Sequence, residues 1–354
     1  MQGDYIISSL LSACLLERGG EIGGEDCVKM HDVIRDMALW ITCELEASEN
    51  NFFVKTGVQL LEEPDVKAWE DAKRMSVMKN KIEVLKETPK LPNLRTLFLS
   101  NNNLKVISDG FFQFIPHLTV LDLSENCYLR ALPKGSSQLV SLECIDLSWT
   151  GISELPMELN SLTKLKMLDL SYMSDLENIP QYLVSSFSKL QIFRLWFKRL
   201  LLQNKDYPNE DNVLNEGNEK LVEELRDMTW LILAPNLRNL DIKGCYEMEA
   251  ILSEEKLGEI AGVIGISYPK PFLKLETLDL RHLPKLKSIH RDALPFPCLK
   301  HILIKYCEEL KKLPLNSDSA KGNLLSIKGS KDWWARVEWE NEVTRDAFLP
   351  SFKL

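Results

Sequence analysis

From Leu94 onward the apolar positions fall into clusters spaced L-x-x-L-x-L, and the clusters themselves recur about every two dozen residues. Leu94, Leu97, Leu99, Asn102 and Leu104 form one unit. Leu118, Leu121, Leu123 and Asn126 form the next, followed by Leu142, Ile145, Leu147 and Ile152, then Leu165, Leu168, Leu170 and Leu176. The second apolar position of successive units lies at Leu97, Leu121, Ile145, Leu168 and Phe193, in steps of 24, 24, 23 and 25 residues. A period held that closely marks a stack of equivalent supersecondary units. A weaker unit precedes at Ala72, Met75, Val77, Asn80 and Ile82, and three follow, centred on Leu240, Leu278 and Ile302. The 47 residues from Phe193 to Leu240 amount to about two periods and include a charged, Asn-rich stretch from Asn204 to Glu224, so an irregular or interrupted stack is expected there.

Alternation within each x-L-x-L-x segment predicts a short strand whose leucines point inward and whose x residues point outward. Stacked units then make an α/β leucine-rich-repeat solenoid with a parallel sheet on its concave face. Asn102 and Asn126 are placed to bond backbone groups of a neighbouring turn, and Cys245 and Cys307 occupy the same slot. Leu132-Pro133, Leu155-Pro156, Ile179-Pro180 and Leu313-Pro314 end the variable half of their units, because proline stops a helix or strand from continuing. At the far end Trp333, Trp334, Val337 and Trp339 supply the apolar surface that a terminal cap requires.

Ahead of the repeats, Ile6, Ile7, Leu10, Leu11, Leu15 and Leu16 recur at helical spacing until Gly19-Gly20 and Gly23-Gly24 break the chain. A strand pair spans the break, with Cys27 to Met30 as its return strand, and Asp32 N-caps a helix buried through Val33, Ile34, Met37, Ala38 and Ile41. Helix, wing and helix suggest a partial winged-helix domain over 1–48. A connecting segment over 49–70, repeats over 71–325 and a capping segment over 326–354 complete the expected layout.

Charge and cysteine usage narrow the function classes. With 43 Lys and Arg against 52 Asp and Glu the net charge is −9, the wrong sign for general binding of nucleic acid. The segment Arg281 to Lys331 nonetheless carries eleven Lys or Arg against four Asp or Glu, which reads either as a solvated face or as a patch for an acidic partner domain. Eight cysteines without a C-x-x-C pair, and the lack of an N-x-[ST] sequon, point to a reducing cytoplasm rather than a secreted or zinc-bound scaffold. No Lys or Arg precedes the apolar run Ile6 to Leu16, which argues against a signal peptide, and no apolar run is long enough to insert directly in a membrane. The five histidines are scattered and none pairs with a nucleophile motif, so no catalytic residue is expected.

Met30-His31-Asp32 opening Val33-Ile34-Arg35-Asp36-Met37-Ala38-Leu39-Trp40-Ile41, the L-x-x-L-x-L-S units with Leu-Pro endings, and the closing Arg336-Val337-Glu338-Trp339-Glu340 together resemble plant coiled-coil-type nucleotide-binding leucine-rich-repeat (NB-LRR) disease-resistance proteins. The resemblance covers almost the whole chain. It implies that 1–48 is the end of the nucleotide-binding domain, that His31 matches a latch against the phosphates of bound ADP, and that Asp32 holds the adjoining turn. The phosphate loop and metal-binding aspartates of that family have no counterpart here. The expectation is therefore a chain without a cofactor of its own, in which ADP or ATP binding needs the rest of that domain. The implied role is protein recognition and autoinhibition in defence, with a pathogen effector or guarded host protein and the receptor's own nucleotide-binding domain as partners; the alternative is a truncated repeat-only scaffold or decoy.

Two outward columns are the candidate partner-binding residues. Trp149, Tyr172 and Phe197 occupy equivalent outward positions in successive units, with Trp196 beside the last, and would form an aromatic stripe. Asp122, Asp146 and Asp169, continued at Asp241 and Asp279, lie between the strand leucines and would either steer a basic partner or simply keep a solvent-facing strand polar.

Overall fold

The computed structural model describes residues 2–22, 25–30, 52–173, 175–180, 183–197, 225–258, 271–319 and 324–353. Near the start, helix α1 (Gln2–Ser12) is followed by the antiparallel hairpin of β1 (Glu17–Ile22) and β2 (Glu25–Lys29). The hairpin is the strand pair read from the glycine break. The helix expected after Asp32, which the winged-helix reading needs, lies outside the described residues together with His31 and Asp32.

A single parallel sheet of twelve strands follows. Its members are β3 (Phe52–Val54), β4 (Arg74–Ser76), β6 (Thr96–Phe98), β8 (Val120–Asp122), β9 (Cys144–Asp146), β10 (Met167–Asp169), β11 (Ile192–Trp196), β12 (Asn239–Lys243), β13 (Thr277–Arg281), β14 (His301–Lys305), β15 (Ser326–Lys328) and β16 (Phe352–Lys353). A separate two-stranded ladder joins β5 (Val84–Leu85) to β7 (Val106–Ile107). The period sets the register: Leu97, Leu121, Ile145, Leu168 and Phe193 align across successive strands, and the column continues through Leu240, Leu278, Ile302 and Ile327. Each of these side chains is at most 2% exposed, and all belong to one continuous apolar core. No single unit could bury that column alone, so the strands are stable only as a stack.

Three expectations change on contact with the fold. The stack is not interrupted after Phe193: β11 pairs with β12 over five residues, Phe193 against Leu240. The 47-residue step is one unit with a long insertion, because strand pairing needs only matching apolar positions on either side and tolerates a long connection between them. The sheet also extends beyond 71–325, taking β3 from the connecting segment and β15 and β16 from the capping segment. Finally, Pro133 and Pro156 start an element as well as ending one: each is the residue before a short 3-10 helix, Lys134–Gln138 and Met157–Ser161, where a fixed φ and a missing N–H are harmless.

Asparagines stitch neighbouring units together. Asn126, fully buried, donates from Nδ2 to the carbonyls of Leu99 and Leu123 at 3.1 and 2.8 Å and accepts at Oδ1 from the Leu104 N–H at 3.2 Å. Asn80 and Asn102 repeat the pattern. Cys307 in the equivalent slot donates weakly from Sγ to the Leu280 carbonyl at 3.5 Å.

The C-terminal end is closed by aromatic packing. Helices α2 (Lys331–Ala335) and α3 (Glu342–Phe348) are N-capped by Ser330 and Asn341. Trp334 stacks on Phe352 at 4.4 Å between ring centroids and meets Trp339 edge-on at 5.3 Å. Buried Trp333 donates its indole N–H to the Leu310 carbonyl at 2.8 Å, anchoring the cap to the last full unit.

Candidate functional site on the open face of the sheet

Strand alternation puts the leucines in the core and the intervening residues on the opposite, open face. In register across that face run Phe98, Asp122, Asp146, Asp169, Arg194, Asp241, Asp279, Leu303, Lys328 and Lys353. A second row, two residues further along the wider strands, runs Trp196, Lys243, Arg281 and Lys305.

The aspartates have a local structural role. Oδ1 of Asp122, Asp146 and Asp169 each accepts the backbone N–H of the serine two residues on, at 2.9 Å. That bond fixes the end of the strand, where the chain turns through a left-handed residue in unit after unit: Glu125, Trp149, Tyr172, Gly244, His282 and Tyr306 all have positive φ. These aspartates are less solvent-facing than the alternation suggested. Asp169, Asp241 and Asp279 are each under a tenth exposed, because longer neighbours, Arg194, Lys243 and Arg281, fold over them. Burial, with Asp169 beside it, raises the Asp146 carboxyl to about 6 despite its bond to Ser148.

The turn residues carry the aromatics. Trp149, 44% exposed, stacks on Tyr172 with centroids 4.4 Å apart, and Trp196 meets Tyr172 edge-on at 5.4 Å. Phe197 is not part of this stripe. It is 6% exposed within the apolar core, and no left-handed turn residue is recorded there, so its side chain follows the inward direction. Trp196, on the second row, takes its place as third ring. The next turn residue is Gly244, at φ +77°, where a Cβ would strike the Phe197 carbonyl oxygen. Beyond it His282 stacks on Tyr306 at 4.4 Å, so the turn column holds two aromatic pairs separated by bare backbone. Burial, then Arg281 and Lys243, lowers the His282 pKa and keeps that ring neutral near neutral pH.

Sequence reasoning missed the centre of this face. Lys243 lies with Nζ 3.2 Å from the Trp196 ring centroid and 3.4 and 3.7 Å from carboxylate oxygens of Asp241 and Asp279. Arg281 clamps Asp279 with two bonds of 2.8 and 2.6 Å. Nζ of Lys243, Oδ1 of Asp241 and Nε1 of Trp196 are buried without a hydrogen bond of good geometry. Burial and the nearby Asp279 raise Asp241 to about 7, and burial lowers Lys243. The only sequence signal was the change from L-D-L-S to Leu240-Asp241-Ile242-Lys243, a cation where earlier units have serine.

Seven of the eleven cations from Arg281 to Lys331 fall into two groups. Lys285, Lys287, Arg291 and Lys300 pair with Glu247, Glu249, Glu254 and Glu276 of the preceding units, and Arg281 with Asp279. Lys305 and Lys328, joined by Lys353, stand on the open face with no ion pair among the described residues. Among the described residues no cluster of metal-ligating side chains occurs, and no helix is long and apolar enough to cross a membrane.

A parallel ladder with an in-register leucine column, an asparagine stitch and an open polar face defines a leucine-rich-repeat protein, and residues 92–152 match the leucine rich repeat family. Residues 193–324 match a second family, the leucine-rich repeats of plant disease resistance proteins similar to RPS2. Disease resistance protein SUMM2 of Arabidopsis thaliana is 37% identical over 99% of this chain and 48% of its own length, and disease resistance protein RPS5 of the same plant is 36% identical over 99% and 48%. A probable disease resistance protein of that species is 35% identical across the whole chain and 49% of its own length. The chain belongs to the plant NB-LRR disease-resistance family and corresponds to its C-terminal, repeat-bearing part; it spans about half the length of the curated relatives it matches. Among solved structures, the leucine-rich repeat domain of APL1B aligns with 93% of this chain and 92% of its own at 15% identity and TM-score 0.46. The corresponding domain of the type III effector XopL aligns with 81% and 79% at 18% identity and TM-score 0.42.

Proposed function

We propose that this chain is the protein-recognition and autoinhibitory module of an intracellular, cytoplasmic plant immune receptor, and that the open face of its sheet receives a pathogen effector or a guarded host protein. The observation that carries the reading is the Trp149–Tyr172–Trp196 bench on the open face, with Trp149 at its exposed end. An exposed ring backed by packed aromatics concentrates binding energy, because it is already ordered before a partner covers it. The reading assigns no catalytic step and no cofactor to the chain. ADP or ATP would belong to the nucleotide-binding domain that the resemblance implies, which is also the second partner. Similarity to disease resistance proteins along the whole chain supports this over a repeat-only scaffold or decoy.

Crosslinking capture from infected tissue tests it, comparing the unaltered chain, Trp149→Ala/Tyr172→Ala and a control, Val140→Asp, at an exposed site away from the bench. At least one effector or host protein should be lost from the double variant and kept by the control. Identical capture by all three would overturn the reading.

A further inference from the structure

We infer that the open face from β8 to β16 is a two-poled docking surface for one protein segment, cationic where it crosses β8 and β9 and anionic where it crosses β14 to β16. The inference rests on the recognition reading above and adds the chemistry of the partner. Asp122, Glu125 and Asp146 form the first pole, and none has an ion pair among the described residues. Burial, and then the neighbouring Asp169, raise the Asp146 carboxyl, and an incoming cation would stabilise its charged form. Lys305, Lys328 and Lys353 form the second pole, all exposed and likewise without an ion pair among the described residues.

Between the poles the charges are spent on one another: Asp169 with Arg194, and Asp241, Lys243, Asp279 and Arg281 in one cluster. Around the edges Glu143, Glu249 and Glu276 are matched to cations of adjoining units. Unmatched charge of opposite sign is thus segregated to the two ends of one face, and charge complementarity fixes the partner's own polarity.

Spacing makes the idea testable. Asp146 and Lys305 stand on strands five steps apart, about 24 Å along the sheet at ~4.8 Å per step, which an extended peptide covers in roughly seven residues. The probes are labelled synthetic peptides read by fluorescence anisotropy against the full chain: Arg-Arg and Glu-Glu separated by six Gly/Ser residues, the same with a two-residue spacer, and peptides bearing only one charged pair. The six-residue peptide should bind at least tenfold more tightly than each of the others, with an advantage that fades as salt rises. Asp122→Lys/Asp146→Lys and Lys305→Glu/Lys328→Glu should each remove that advantage. The quadruple variant, with its poles exchanged, should regain it as the peptide turns around, which an unfolded protein could not do.

Equal affinity for all peptides, binding by none, or a spacer advantage that survives either charge reversal would overturn the proposal. Those outcomes leave the recognition reading standing, since the crosslinking test depends on the aromatic bench and is indifferent to these charges.

Discussion

Lys243 places its ammonium against the face of Trp196, 3.2 Å from the ring centroid, while Asp241 and Asp279 hold it from the other side at 3.4 and 3.7 Å. A cation so enclosed is bound by the ring quadrupole and by two carboxylates at once, in a setting where its own desolvation is the largest opposing effect. Lys243→Met removes the cation and leaves Asp241 facing Asp279 with only Arg281 to compensate. The single variant should be destabilised by about 3–5 kcal/mol, the range for breaking one side of a buried pair. Adding Asp241→Asn should recover most of that loss. Thermal melts of the three proteins decide it; a single variant as stable as the unaltered chain would mean that the cluster is not coupled.

Gly244 and Trp149 occupy equivalent turn positions yet should respond oppositely to substitution. At Gly244, φ is +77° and a Cβ collides with backbone oxygen, which cannot move aside without breaking the Phe197–Lys243 hydrogen bond of 2.8 Å. Gly244→Ala should therefore cost more than about 2 kcal/mol, strain and collision adding together. Trp149 tolerates positive φ already and is 44% exposed, so Trp149→Ala should cost only the stacking on Tyr172, about 1 kcal/mol. Denaturant midpoints distinguish the two, and a large loss at Trp149 would make its ring part of the core.

The pH dependence of stability should carry the mark of Asp146. Its folded pKa of about 6 lies above the ordinary carboxylate value of 3.8. Below about pH 4 both folded and unfolded chains hold the proton and the group contributes nothing. Between pH 4 and 6 the folded chain holds more protons than the unfolded one, so stability falls as pH rises, and above pH 6 the penalty is complete. Asp146→Asn keeps an oxygen to accept the Ser148 N–H but carries no charge. The variant should melt higher than the unaltered chain at pH 7.5, with the gain disappearing near pH 4. A gain of equal size at both pH values would show that charge is not its cause.

The repeat period made the ladder legible because each strand needs only two apolar residues at fixed spacing, and the same two residues set register, core and open face together. Leu97 through Phe193 could be aligned from the sequence, and Asn102 and Asn126 could be given their stitching role for the same reason; Asn80 of the weaker first unit makes the same bonds. What the period does not carry is the direction of a side chain at a turn. Phe197 shares its offset with Trp149 and Tyr172 but points into the core, and only the neighbouring Gly244 hints that the turn differs there. Nor does the period foresee Lys243, whose importance comes from meeting Trp196 of one neighbouring strand and Asp279 of the other, 47 and 36 positions away. The long connections that separate those strands in sequence hid their contact in space.

The asparagine stitch allows a graded experiment. Asn126 serves three backbone groups at once: the Leu99 and Leu123 carbonyls through Nδ2, and the Leu104 N–H through Oδ1. Asn126→Ala leaves all three in a site with no exposure to water, and at ~1–3 kcal/mol for each unsatisfied buried group the loss should exceed 3 kcal/mol. Asn126→Cys should fall between, since the thiol of Cys307 makes only weak contacts of 3.5 and 3.4 Å to carbonyls in the same slot and has no acceptor to match an amide oxygen. Because each unit touches only its neighbours, the damage should be local before it is global. Amide exchange should quicken first at Leu104, whose N–H loses its acceptor, and at Asn101 and Glu125 on the adjoining turns, while Trp333 and the C-terminal cap keep their protection. Uniform loss of protection along the chain would show instead that the solenoid unfolds as one cooperative body.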